Sequence, residues 1–150
     1  MPLLDEKVKT QVKKELEGLV KDVKLVVFTQ EIECEYCAEN RRLAEELGSL
    51  SDRLKVEVYN FVLDKEKVGQ YRVDKIPAIV VEGKKDYGIR FYGIPGGYEF
   101  ASLLETIKMV GSNESGLSEK TKEALKELTK PVHIQVFVTL TCPYCPGAVR

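Results

Sequence analysis

The chain has 150 residues, 43% of them hydrophobic, with 23 Lys and Arg against 24 Asp and Glu for a net charge of −1. Those values describe one or two globular domains, and charges of both signs are interspersed, which gives no case for nucleic-acid binding. No apolar stretch is long enough for a signal peptide or a membrane span, so the expected location is the cytoplasm with no membrane attachment.

In chain order, the N-terminus runs straight into an amphipathic helix with Val8, Val12, Leu16, Leu19 and Val20 on one face. Residues 23–29 form an apolar, β-branched stretch of strand length. The motif Cys34-Glu35-Tyr36-Cys37 follows, and then residues 38–47, good helix formers with Leu43, Ala44 and Leu47 on one face and Gly48 as the stop. The first cysteine pair therefore opens a helix. Residues 54–59 alternate as a strand, 64–71 read as a helix, and 76–81 read as a strand that begins at Pro77. Gly83-Lys84-Lys85 turns into a returning strand at 87–92. Gly96-Gly97 leads to a closing helix with Phe100, Leu103, Leu104, Ile107 and Val110 at helical spacing. The order is βαβ, α, ββα behind an extra N-terminal helix, an α/β pattern.

Residues 111–116, Gly-Ser-Asn-Glu-Ser-Gly, read as a flexible linker that closes a first unit at residue 110. Beyond it the chain repeats itself from residue 117. With Phe28 laid on Phe137, Leu16 falls on Leu125, Leu19 on Leu128, Val23 on Val132 and Val27 on Val136. Residues 132–138 alternate as a second strand, in which His133 matches Lys24 and reads as an exposed residue without a chemical role. The second motif, Cys142-Pro143-Tyr144-Cys145, lies five positions past Phe137, against six between Phe28 and Cys34, so the first loop carries a one-residue insertion. The chain stops at Arg150 after the start of this second unit. A half unit cannot bury its own core, so the expectation is a fragment of a longer protein whose second site is frayed and nominal.

All four cysteines sit in these two motifs. Two thiols separated by two residues at a strand-to-helix junction can form a small reversible disulfide, and the helix N-terminus favours the thiolate of the first. Glu31, Glu33, Glu35 and Glu39 surround Cys34, partly offset by Arg41 and Arg42, whereas no acid lies near Cys142 in sequence. Like charge disfavours a thiolate, so Cys142 is expected to be the more acidic thiol and its pair the more oxidising. A Cys₄ zinc or iron–sulfur site is the rival reading. It fits poorly because the pairs are separated by most of the chain and each follows an apolar strand. A non-catalytic interaction module is a third reading, disfavoured because both thiols are kept in both repeats.

The motif CEYC after the first strand, the segment Val73-Asp74-Lys75-Ile76-Pro77, the motif CPYC and the helix-first repeat resemble the thioredoxin superfamily. Within it they resemble the two-unit, glutaredoxin-like protein disulfide oxidoreductases of hyperthermophilic archaea. The Lys- and Glu-rich composition, 31% charged and without Trp, agrees with a hot environment. The resemblance implies a thioredoxin fold over residues 1–110 and the start of another over 117–150. It implies Cys34 as nucleophile, Cys37 as resolving thiol, and Cys142 with Cys145 as a second pair. It also implies a cis Pro77 beside the first loop, with the Ile76 backbone offered to an extended substrate. Glu35, Tyr36, Pro143 and Tyr144 then shape the loops and contact substrate. No cofactor beyond the redox disulfides and no metal is expected. The implied partners are protein disulfides or dithiols, a flavoprotein reductase like thioredoxin reductase as electron donor, and a peroxidase as acceptor.

Two departures stand out. Thioredoxins carry a buried acid six residues before the first cysteine, and here that position is Phe28, or Val136 in the second unit. Which group takes the proton of Cys37 is therefore open. There is also no basic cluster for the carboxylates of glutathione, so glutathione is not an expected substrate.

Overall fold

A computed structural model describes residues 2–150. The N-terminal helix α1, Glu6–Leu16, starts where the Asp5 carboxylate accepts the Val8 N–H, the usual side-chain cap. Then come β1 (Val23–Thr29), α2 (Cys37–Gly48), β2 (Leu54–Asn60), α3 (Lys65–Tyr71), β3 (Ala78–Glu82), β4 (Asp86–Tyr92) and α4 (Glu99–Ser112). The strands form one mixed sheet in the order β2-β1-β3-β4, with β1 parallel to β2 and antiparallel to β3. β3 and β4 form an antiparallel hairpin whose register shifts between Val80 and Glu82. This is the expected α, βαβ, α, ββα order, the thioredoxin fold.

Because successive strand residues point to opposite faces, β1 divides its apolar residues between two cores. Leu25 and Val27 join Ile79 and Val81 of β3 against Val12 and Leu16 of α1, Leu43 and Leu47 of α2, and Leu103 and Ile107 of α4. Val26 and Phe28 face the other way and pack with Ala78, Val80, Tyr71 and Val73, on the α3 side. The Tyr71 hydroxyl on that side donates to Glu82 at 2.6 Å. Arg90 of β4 donates twice to the Tyr71 carbonyl while paired to Asp86, which ties α3 to the sheet edge.

The structure corrects several boundaries. Val20 is exposed, because the helix ends at Leu16 and the chain turns before reaching it. α4 runs two residues into the segment read as a linker and ends at Asn113, whose left-handed backbone supplies the αL cap common after helices. The larger correction concerns residues 132–138. They read as a strand but form none, since a strand exists only through its ladder and no strand of the described residues pairs with them. Phe137 is 88% exposed where its repeat partner Phe28 is 0% exposed. The helix before this segment, α5 (Glu119–Lys126), has a Ser118 cap but buries no residue. The short helix α6 (Cys145–Val149) packs against α4, with Pro146 buried and the Tyr98 N–H donating to the Leu140 carbonyl at 3.1 Å. Gly97 lets that strap approach: its φ is +54° and a Cβ there would meet the Leu140 carbonyl oxygen at 2.5 Å.

A candidate disulfide redox site

β1 ends at Thr29, and the loop that follows is held by the Gln30 side-chain amide donating to the Ile32 carbonyl. Glu33 takes a left-handed φ of +59°, the turn that accommodates the inserted residue. Cys34 and Cys37 are joined in a disulfide, with Cα atoms 5.5 Å apart. Cys34 is partly exposed, whereas Cys37, the first residue of α2, is fully buried. Tyr36 precedes the helix without a side-chain cap. The free N–H groups of the first turn therefore point toward the disulfide, and their positive end favours a thiolate there.

Register places the proline loop beside this disulfide. Phe28, at the end of β1, is opposite Ala78, so Ile76 and Pro77 run alongside the start of the cysteine loop. The Ile76–Pro77 peptide bond is cis, as the resemblance implied. Pro77 is buried and Ile76 is half-buried, and the Pro77 carbonyl accepts the Gly93 N–H. Ile76 therefore keeps part of its surface open beside the cysteine loop.

Phe28 does not stand behind Cys37. Its ring lies on the α3 side against Tyr59 and Tyr71, with centroids 5.9 Å away in each case. The residue on the α2 side is Val27, so the inserted residue shifts the position expected for a buried acid by one, and it is apolar in either register. Buried polar groups occur on the helices instead. Asn40, one turn after Cys37, is wholly buried with neither amide atom partnered, and Ser102 of α4 is buried and unpartnered too.

The second motif is open where the first is closed by a disulfide. Cys142 and Cys145 are free thiols, both partly exposed, and the Cys142 N–H donates to the Thr139 carbonyl. The Cys145 thiol and the backbone N–H of Tyr144 hold the Cys142 thiol below its usual range, and the same pairing pushes Cys145 up. Pro143 and Tyr144 are exposed. The acid-free surroundings read from sequence need correcting. Glu99, at the start of α4 in the first unit, is only 3% exposed, has an unpartnered Oε1, and acts on both thiols by its charge. Sequence reasoning missed it because it belongs to the other unit. The available signal was position: Glu99 continues the buried stripe of Leu103, Ile107 and Val110 by one turn.

Among the described residues, no three His, Cys, Asp or Glu side chains are grouped to hold a metal ion. No helix of the described residues is long and apolar enough to cross a membrane.

No family model matches the chain. The structure is similar to a protein disulfide oxidoreductase from Aeropyrum pernix, with a TM-score of 0.89 and 34% identity, over 98% of this chain and 66% of that one. It is also similar to the NTD_N/C domain of alkylhydroperoxide reductase AhpF from Enterococcus faecalis, with a TM-score of 0.83 and 27% identity, over 97% and 70%. Among curated sequences, the F component of alkyl hydroperoxide reductase from Escherichia coli is 27% identical over 148 residues, 99% of this chain and 26% of that protein. The chain thus spans about a quarter of the length of such curated relatives.

Proposed function

The chain belongs to the thioredoxin-fold oxidoreductases, alongside the archaeal protein disulfide oxidoreductases, and on that premise we propose that it exchanges dithiols for disulfides in protein substrates. The observation that carries the proposal is the Cys34–Cys37 disulfide at the start of α2, with its outer sulfur partly exposed, its inner one buried, and cis Pro77 beside it. In the reducing direction the Cys34 thiolate attacks a substrate disulfide and one substrate sulfur leaves as thiolate. Cys37 then attacks the Cys34 sulfur and frees the other. Exposure supports these roles: only Cys34 is open to a macromolecule, and Cys37 is shielded from any sulfur but that of Cys34. Ile76, Glu35 and Tyr36 line the substrate's path.

Cys142 and Cys145 form the second exchange pair, with Pro143 and Tyr144 at its mouth. The reaction needs no cofactor beyond the thiols. Likeness to proteins named for alkyl hydroperoxide reduction supports a peroxidase as electron acceptor; the donor in this proposal is a flavoprotein reductase, and the location is the cytoplasm.

Equilibration in buffers of graded thiol-to-disulfide ratio, followed by alkylation and mass measurement, tests this. A two-electron transition of Cys34 with Cys37 between roughly −270 and −120 mV is expected. Four thiols that stay blocked until a chelator is added would replace the proposal with a metal-site reading.

A further inference from the structure

The first disulfide sits inside an acidic and apolar collar whose charges have no cationic partners. Glu31, Glu33 and Glu35 are exposed, and among the described residues none of them is in an ion pair. The nearby cations are engaged elsewhere. Arg41 pairs with Glu45, the charge of Arg42 acts on Glu46, and Lys65 and Lys67 lie over the rings of Phe61 and Tyr59. The left-handed turn at Glu33 sets a carboxylate directly before Cys34, in a loop one residue longer than that of the second motif.

Apolar side chains share this end of the sheet. Ile32 is 74% exposed and Tyr36 is also exposed on the cysteine loop. Thr29 pairs with Asn60 and the Phe61 N–H donates to the Thr29 carbonyl, which carries the loop after β2, with Val62 and the 78%-exposed Leu63, to the same end. Exposed apolar groups around a reactive sulfur mark a contact surface, and uncompensated charge of one sign selects a partner of the other.

We propose that the first site takes disulfide-bearing polypeptides in which Lys or Arg flank an apolar cysteine segment, the carboxylates of Glu31, Glu33 and Glu35 selecting them by charge. This rests on the exchange function above and names its substrate class. Apolar residues of the substrate meet Ile32, Tyr36, Val62 and Leu63, while its cations approach the three carboxylates. The two electrons and two protons that reduce the substrate come from the Cys34 and Cys37 thiols, which end as the disulfide. A small dithiol restores them.

The test uses the full chain with Cys142→Ser and Cys145→Ser, so that only the first pair reacts. It is reduced with dithiothreitol, desalted, and mixed with disulfide peptides of one apolar core flanked by Lys, Gln or Glu. The Lys peptide is expected to react about tenfold faster than the Glu peptide at low ionic strength. That ratio should fall toward one in 1 M salt, where screening is nearly complete, and in a Glu31→Gln, Glu33→Gln, Glu35→Gln variant. The variant also alters the nucleophile's environment, but that changes all three peptides alike and leaves the ratio to report selection. Equal rates for the Lys and Glu peptides at low salt overturn the inference and leave the exchange function standing. Failure to reduce any peptide, the Gln one included, overturns the function itself.

Discussion

The two Cys-x-x-Cys loops share sequence, spacing and a helix start, yet one is embedded in a sheet and the other is strapped to a helix end. The loop at Cys34 grows out of β1, which is paired on both sides and contributes to both cores. The loop at Cys142 follows a segment with no strand partner and is held through Leu140, Pro146 and the N-terminal end of α4. The turn and the first helical residues are local structure that either sequence specifies alone. The strand, the burial of the inner cysteine and the neighbouring cis proline are not local, and among the described residues only the first loop has them.

The largest expected effect separates the two loops by chemistry. Cys34→Ser should cut the rate of protein-disulfide reduction on the order of 10³-fold, as loss of a nucleophile does, and Cys142→Ser should lower it far less. Reduction of a disulfide-bonded reporter protein at fixed dithiothreitol measures both. A greater loss with Cys142→Ser would reverse the ranking of the two sites.

Next comes packing. Phe28→Ala removes a ring that is 0% exposed and should cost about 3–5 kcal/mol of stability. Phe137→Ala removes its repeat partner at 88% exposure and should fall within about 0.5 kcal/mol of the parent. Denaturant unfolding gives both values, and a large cost at Phe137 would show that residues 132–138 are packed in solution.

A smaller contrast lies in the helix caps. Asp5 and Ser118 each accept the third N–H of their helix, from Val8 and Thr121. Asp5→Ala should lower global stability by about 1 kcal/mol, because α1 buries Val12 and Leu16 in the core. Ser118→Ala should leave the main transition in place and only speed amide exchange in α5, which buries nothing. Equal shifts in the denaturation midpoint would mean that α5 unfolds together with the first unit.

How much of this was legible in the sequence follows from how local each feature is. The element order could be read because the periodicity of residues 23–29, 38–47 and 99–110 is strong and repeated contacts follow from it. The division of β1 between two cores could not, since an unbroken apolar run does not say which residue faces α2. The inserted residue moved that assignment from Phe28 to Val27. Alternation at residues 132–138 had the pattern of a strand but cannot supply a neighbouring edge. Pro77 was placed by its resemblance to a family rather than by spacing, because cis and trans proline look alike in a sequence. Glu99 escaped notice because the approach of an α4 carboxylate to Cys142 is fixed by docking between two units of the chain.

That carboxylate gives the finest test of the comparison. Charge on Glu99 works against the Cys142 thiolate, opposing the Cys145 thiol and the Tyr144 N–H, which favour it. Removing the charge in Glu99→Gln should therefore lower the Cys142 pKa, so that the thiolate appears at lower pH and the alkylation profile of Cys142 moves in that direction. The shape of the side chain is kept, so a change in packing does not account for the shift. Measured on the reduced chain with Cys145→Ser, the profile also separates Glu99 from the partner thiol. An unmoved profile would mean that the second loop is tuned by its own residues alone. A shift to lower pH would make the first unit a contributor to the chemistry of the second.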